Sequence, residues 1–138
     1  MHQLIALSDA TAQELQLEFI RRTKFNDFNG ERVFASLLKH RALWTATFLD
    51  RPGVSPRYGS SLLLMGGLIK LRDLPANIWN ADTLYVLTPT SEAARDLARI
   101  IEGENWGGEP IVYSDREEID SALGTSEPSH GLLTVWWD

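Results

Sequence analysis

Three hydroxyl side chains crowd into four residues at Thr88-Pro89-Thr90-Ser91, directly after the apolar run Leu84-Tyr85-Val86-Leu87. A strand that turns into a helix leaves free amides and the positive end of the helix dipole at the turn, and both favour an anion. Hydroxyls at Thr88, Thr90 and Ser91 would add contacts. Ser114, closing a second apolar run, Glu109–Ser114, would stand nearby. Read this way, the turn is a site for a small anion or a phosphate ester. The same residues also meet the ordinary needs of a helix start, with Thr90 or Ser91 as cap, or Thr88 as cap and Pro89 at the first helical position. The turn has neither the glycines and lysine of a phosphate loop nor a dinucleotide fingerprint.

Other reactive patterns are sparse. The chain has no cysteine, which excludes disulfides, thiolate metal sites and a cysteine nucleophile. His2, His40 and His130 do not pair at metal-ligand spacing, and His40, between Lys39 and Arg41, reads as lying on a solvated face. No Gly-x-Ser-x-Gly elbow is present. The neighbours Ser129 and His130 do not make a nucleophile and base, which a fold brings together from distant positions. The carboxylate pairs Glu117-Glu118, Asp115 with Asp120 and Glu102 with Glu104 sit among polar residues and read as a solvated helix face rather than the apolar pocket that acid–base work needs. No catalytic residue, metal ligand or cofactor is assigned.

Two patterns point to binding. Arg21, Arg22, Lys24, Arg32, Lys39 and Arg41 gather around Phe25 and Phe28, as in proteins that grip single-stranded nucleic acid, but Glu18, Asp27 and Glu31 interrupt the group. The second pattern is tryptophan. Trp44 falls on a helical stripe, and Trp106 lies in the Gly-rich stretch Glu104–Glu109. Trp136 and Trp137 are adjacent in a strand pattern and therefore point to opposite faces. Residues 70–138 hold 5 Lys/Arg against 13 Asp/Glu, whereas residues 1–69 hold 8 against 6. An acidic half repels phosphate and argues against nucleic acid there. Tryptophan among acids suits a protein partner.

The positioning elements follow from periodicity. Leu4–Leu7 reads as a first strand. Thr11 to Glu14 is a capping box opening a helix to about Thr23, with Ala12, Leu15, Phe19 and Ile20 inward and Leu17 off that face. Asn29 caps a helix predicted from Glu31 to about Leu49, on the stripe Phe34, Leu37, Leu38, Trp44, Thr45 and Phe48, with Arg41 snorkelling. Residues 50–60 are a loop. Residues 61–71 suit a hairpin around Gly66-Gly67 better than a helix, since two glycines weaken a helix. Thr83–Thr88 is a strand, and Ala93, Ala94, Leu97, Ala98 and Ile101 draw a helical stripe that ends at Gly103. Glu109–Ser114 is a strand, Ser114 to Glu117 a capping box, and Gly131–Asp138 ends in a strand.

At 138 residues and 43% hydrophobic this is one domain, with a mainly helical part (1–50) and a β-α-β-α-β part (60–138). The expected fold class is α/β, a small mixed, mostly parallel sheet under about four helices. The thiol-free composition, with no signal-like start and no membrane span, fits a cytoplasmic protein. The expected function is a non-enzymatic protein-interaction or self-associating module. It would use the acidic half and Trp106, Trp136 and Trp137, with a protein partner or a second copy bound. The alternative is the anion site at Thr88, Thr90, Ser91 and Ser114.

Overall fold

The computed structural model describes residues 6–25, 27–50, 68–79, 81–124 and 130–137. Helix α1 (Ala12–Arg22) opens on the reciprocal capping box of Thr11 and Glu14, and α2 (Gly30–Lys39) is capped by Asn29, whose side chain accepts from the Arg32 amide. Between them, β1 (Lys24–Phe25) and β2 (Phe28–Asn29) pair antiparallel in a tight reversal. In α1, Leu15 faces solvent instead of pointing inward, and Leu17, off the expected inward face, packs on the core.

The predicted long helix stops early. The α-helix ends at Lys39, a 3-10 turn carries Arg41–Leu43, and the chain then extends as β3 (Ala46–Asp50). Arg41 does not snorkel from a helix. It donates to the Trp44 carbonyl at 2.6 Å and lies 3.9 Å from the centre of that indole. The expected strand Leu4–Leu7 falls largely outside the described residues, and Leu7 itself begins a 3-10 turn and is exposed. The 61–71 hairpin also lies partly outside them, but its second arm is not a strand, because Leu68–Ala76 forms 3-10 turns.

The sheet departs most from expectation. Strands β3, β4 (Thr83–Thr88), β5 (Glu109–Tyr113) and β6 (Gly131–Trp136) form one layer in the order β3-β4-β6-β5, and every neighbouring pair is antiparallel. A mostly parallel sheet is therefore wrong. The reason lies in β6. Strands β4 and β5, joined by α3 (Ser91–Gly103), do run the same way, but β6 enters between them in the opposite sense and pairs with both. The short α4 (Arg116–Leu123) is capped by Asp115 rather than Ser114, with the Asp115 carboxylate accepting from the Glu117 amide at 3.0 Å.

One face of the sheet carries Leu49, Leu84, Val86, Leu133 and Val135. It packs on Val33 and Leu37 of α2 and on Ala94, Leu97 and Ile101 of α3. Each such side chain removed from water stabilises the fold by roughly 1.5–3 kcal/mol before entropy is counted. Helix α1 packs on α2 and lies along the outer edge of β3.

Candidate interaction surface

Strand alternation puts the remaining sheet residues on the opposite face. The registers arrange them in three rungs across β3, β4, β6 and β5. The first is Asp50, Thr83, Trp136 and Glu109; the second is Phe48, Tyr85, Thr134 and Ile111; the third is Ala46, Leu87, Leu132 and Tyr113. None of these residues belongs to the main core. Trp136 keeps 41% of its surface in water, Phe48 45% and Ile111 49%. Phe48 stacks on Tyr85 with ring centres 4.9 Å apart, an ordinary cross-strand aromatic pair. Thr83 and Thr134, on the same face, are buried.

The field on this face is negative. Burial raises the Tyr85 phenol above its usual range, and the carboxylates of Asp50 and Asp82 and the phenol of Tyr113 push it the same way. No Lys, Arg or His occupies any position of the three rungs. Toward the third rung the face deepens into a trough of about 380 Å³, walled by Gln13 and Gln16 of α1, Phe48, Tyr85, Leu132 and the end of α4 at Leu123.

The three tryptophans expected at a surface are placed differently from one another. Trp136 is on the open face. Trp106 and Trp137 are 1% exposed and fasten the other side of the sheet. The Trp137 indole N–H donates to the Trp106 carbonyl at 2.9 Å, and the Trp106 indole N–H donates to Ser36 Oγ at 2.9 Å. Phe28 meets the Trp137 ring edge-on at 4.8 Å. The Gly-rich stretch around Trp106 is thus a plug. Asn105 takes a positive φ of 54° to end α3, and the next residue is buried.

Ser36 continues this chain of bonds, donating to Glu104 at 2.7 Å, while His40 Nε2 lies 2.7 Å and Lys39 Nζ 3.2 Å from the second Glu104 oxygen. Bonds from His40 and Ser36 hold the Glu104 carboxyl down at about 2. His40 is therefore not on a solvated face. Its spacing from Ser36, one helical turn, is a signal that sequence reading passed over, since the partner comes from another helix.

The strand-to-helix turn shows little room. Thr88 is fully buried and donates to the Thr90 carbonyl at 2.7 Å, and Thr90 caps α3 by accepting from the Ala93 amide at 3.0 Å. Gly131 packs so close that a Cβ there would stand 2.3 Å from both Thr88 Oγ1 and the Thr90 carbonyl. Ser91 is half-buried and Ser114 exposed. Both loops are at one end of the sheet, with the start of β6 between them. At the basic turn, a concavity of about 610 Å³ is lined by Arg21, Arg22, Lys24 and Asp27. There Arg21 bonds Glu18 and Glu31, and Arg22 bonds Glu18, so these cations are answered within the molecule. Arg32 donates to the Asn105 carbonyl, and Lys39 serves Glu104. His130 sits at the entry of β6, and His2 lies outside the described residues. No group of three or more His, Asp or Glu that could hold a metal occurs among the described residues. No described helix is long and apolar enough to cross a membrane. No family model, no curated protein and no solved structure matches this chain.

Proposed function

We propose that this chain is a cytoplasmic protein-docking module that holds another protein, or a second copy of itself, on the open face of its sheet. The observation that carries the reading is the uncovered aromatic and aliphatic surface around Trp136, Phe48 and Ile111. Apolar side chains grouped on one face, rather than scattered, mark interaction sites, and tryptophan is among the residues most enriched at binding hot spots. Trp136 alone of the three C-terminal tryptophans remains available. The absence of cysteine is what favours the cytoplasm.

The test is surface-directed. The full chain is compared with Trp136→Ser and Phe48→Ser, each checked for an unchanged melting curve, in sedimentation velocity and in reconstitution with purified candidate partners. Association should weaken by about tenfold or more in Trp136→Ser, as expected of a hot-spot residue. Association that is equally tight in both variants would place the contact elsewhere and defeat the reading.

A further inference from the structure

We infer that the outer edge of β5 takes up an extended segment of another protein as an added antiparallel strand, with a Lys or Arg across from Glu109 and apolar residues across from Ile111 and Tyr113. This edge is distinct from the open face, and its occupancy does not depend on what that face holds. The backbone hydrogen bonds decide which groups are available. The Trp137 N–H donates to the Asp82 carbonyl at 2.9 Å, on the β4 side of β6. Successive residues of a strand turn their N–H and C=O to opposite sides, so Leu132, Thr134 and Trp136 turn theirs to β5. Their partners there are Tyr113, Ile111 and Glu109. Pro110 and Val112 therefore turn theirs away from the sheet, where a proline has no N–H to lose. Strand β5 ends the strand order. Among the described residues nothing bonds the Val112 N–H, the Val112 carbonyl or the Pro110 carbonyl on that side. The opposite edge differs, since the side chains of Gln13 and Gln16 bond along β3. Unmet backbone groups on an edge are a template for another strand. Strand addition draws affinity from those groups and selectivity from alternate side chains.

The side chains flanking the edge set the chemistry of the segment. Glu109, Ile111 and Tyr113 lie on the open side of β5, with Ile111 49% exposed. Glu109 is exposed and takes no ion pair or hydrogen bond among the described residues. Side chains directly opposite on antiparallel strands have Cβ atoms about 4.5–5.5 Å apart, so a cation opposite Glu109 pairs with it and apolar groups opposite Ile111 and Tyr113 pack on them. The three matching positions are alternate residues of the incoming strand, which share one face. A second copy of β5 fits less well. Centred on Val112, it sets Glu109 against Asp115 twice. Centred on Ile111, it sets Val112 against Pro110, which has no N–H to give.

The probe is the peptide Thr-Val-Thr-Val-Thr-Lys-Thr, whose antiparallel register sets Lys opposite Glu109 and the valines opposite Ile111 and Tyr113. It is titrated into the full chain and followed by amide chemical shifts and hydrogen exchange. Saturable binding is expected, with exchange slowed about tenfold at the Val112 amide and unchanged at the Ile111 amide, which β6 already bonds. N-methylation of the third peptide residue, which faces Val112, should weaken binding about tenfold, and N-methylation of the fourth, whose N–H points away, should not. Glu109→Lys should weaken binding about threefold, and a peptide with Glu in place of Lys should recover the loss. Trp136→Ser should leave the affinity unchanged. The lack of saturable binding, equal effects of the two N-methylations, no slowing at Val112, or indifference to Glu109→Lys would each overturn the inference. Binding lost in Trp136→Ser would move the contact onto the open face, overturning the edge while leaving the docking reading standing. The N-methyl arm leaves the protein unaltered, so a folding defect cannot imitate its result.

Discussion

At Glu104, donors from the last turn of α2 meet the end of α3 on a single carboxylate. Its folded pKa of about 2 lies below the ordinary 4.5, so the anion is what the fold stabilises. That contribution is complete above pH 4.5 and drains away as the pH falls toward 2. Glu18, held at about 2 by Arg21 and Arg22, acts with the same sign over the same window. The melting temperature should therefore fall on acidification below pH 4.5, and Glu104→Gln should flatten part of that slope. Glu104→Ala, which strands the buried Ser36, should cost about 1–3 kcal/mol in urea unfolding. A second residue-scale prediction concerns Gly30, where a Cβ would meet the carbonyls of Ile20 at 2.1 Å and Arg21 at 2.8 Å. Those are backbone atoms and cannot rotate away. Gly30→Ala should destabilise by roughly 3 kcal/mol, read from the urea midpoint. The caps at Thr11 and Asn29 were legible because a cap is a local bargain among neighbouring residues. The role of His40 was not, because Glu104 arrives from far along the chain.

At the scale of elements, the free edge of β3 is managed by α1. Gln13 exchanges two bonds with Thr47, its amide donating to the carbonyl and its oxygen accepting from the N–H, each at 2.8 Å, and Gln16 accepts from the Leu49 amide at 2.9 Å. These side chains stand in for a neighbouring strand and so block edge-to-edge pairing. Gln13→Ala should cost about 1 kcal/mol. It should also speed hydrogen exchange at the Thr47 amide more than at the Leu84 amide, which lies in a central strand. The Glu31–Leu49 helix was misjudged at this scale. Trp44, Thr45 and Phe48 fall on helical spacing with Phe34 and Leu37, yet the same stretch alternates Ala46 and Phe48 on one face with Thr47 and Leu49 on the other. Both periods fit a segment this short, and pairing with β4 decided between them. Helix α3 left no such ambiguity, with Ala93, Ala94, Leu97 and Ile101 buried along one stripe.

For the molecule as a whole, the alternation of strands and helices in the second half was readable, but strand order was not. A β-α-β-α-β pattern leaves open whether the last strand adds at an edge or enters the middle, and β6 enters the middle. Its two tryptophan neighbours show the result. Trp137 seals one side with Trp106, and Trp136 faces outward on the other. The candidate anion turn was legible as a helix start, but the glycine that fills it comes from β6. Since β6 is hydrogen-bonded on both sides, a chain ending at Gly124 should lack a cooperative melting transition rather than melt somewhat lower. A chain ending at Trp137 should retain that transition.

The position of β6 also sets the order of events during synthesis. When a ribosome has delivered β3, β4 and β5, the nascent polypeptide holds an antiparallel β3–β4 pair and a lone β5 with no strand to join them. Their facing edges stay raw until residues 131–136 emerge, and chaperone engagement should therefore persist until this segment has been delivered and end abruptly with it.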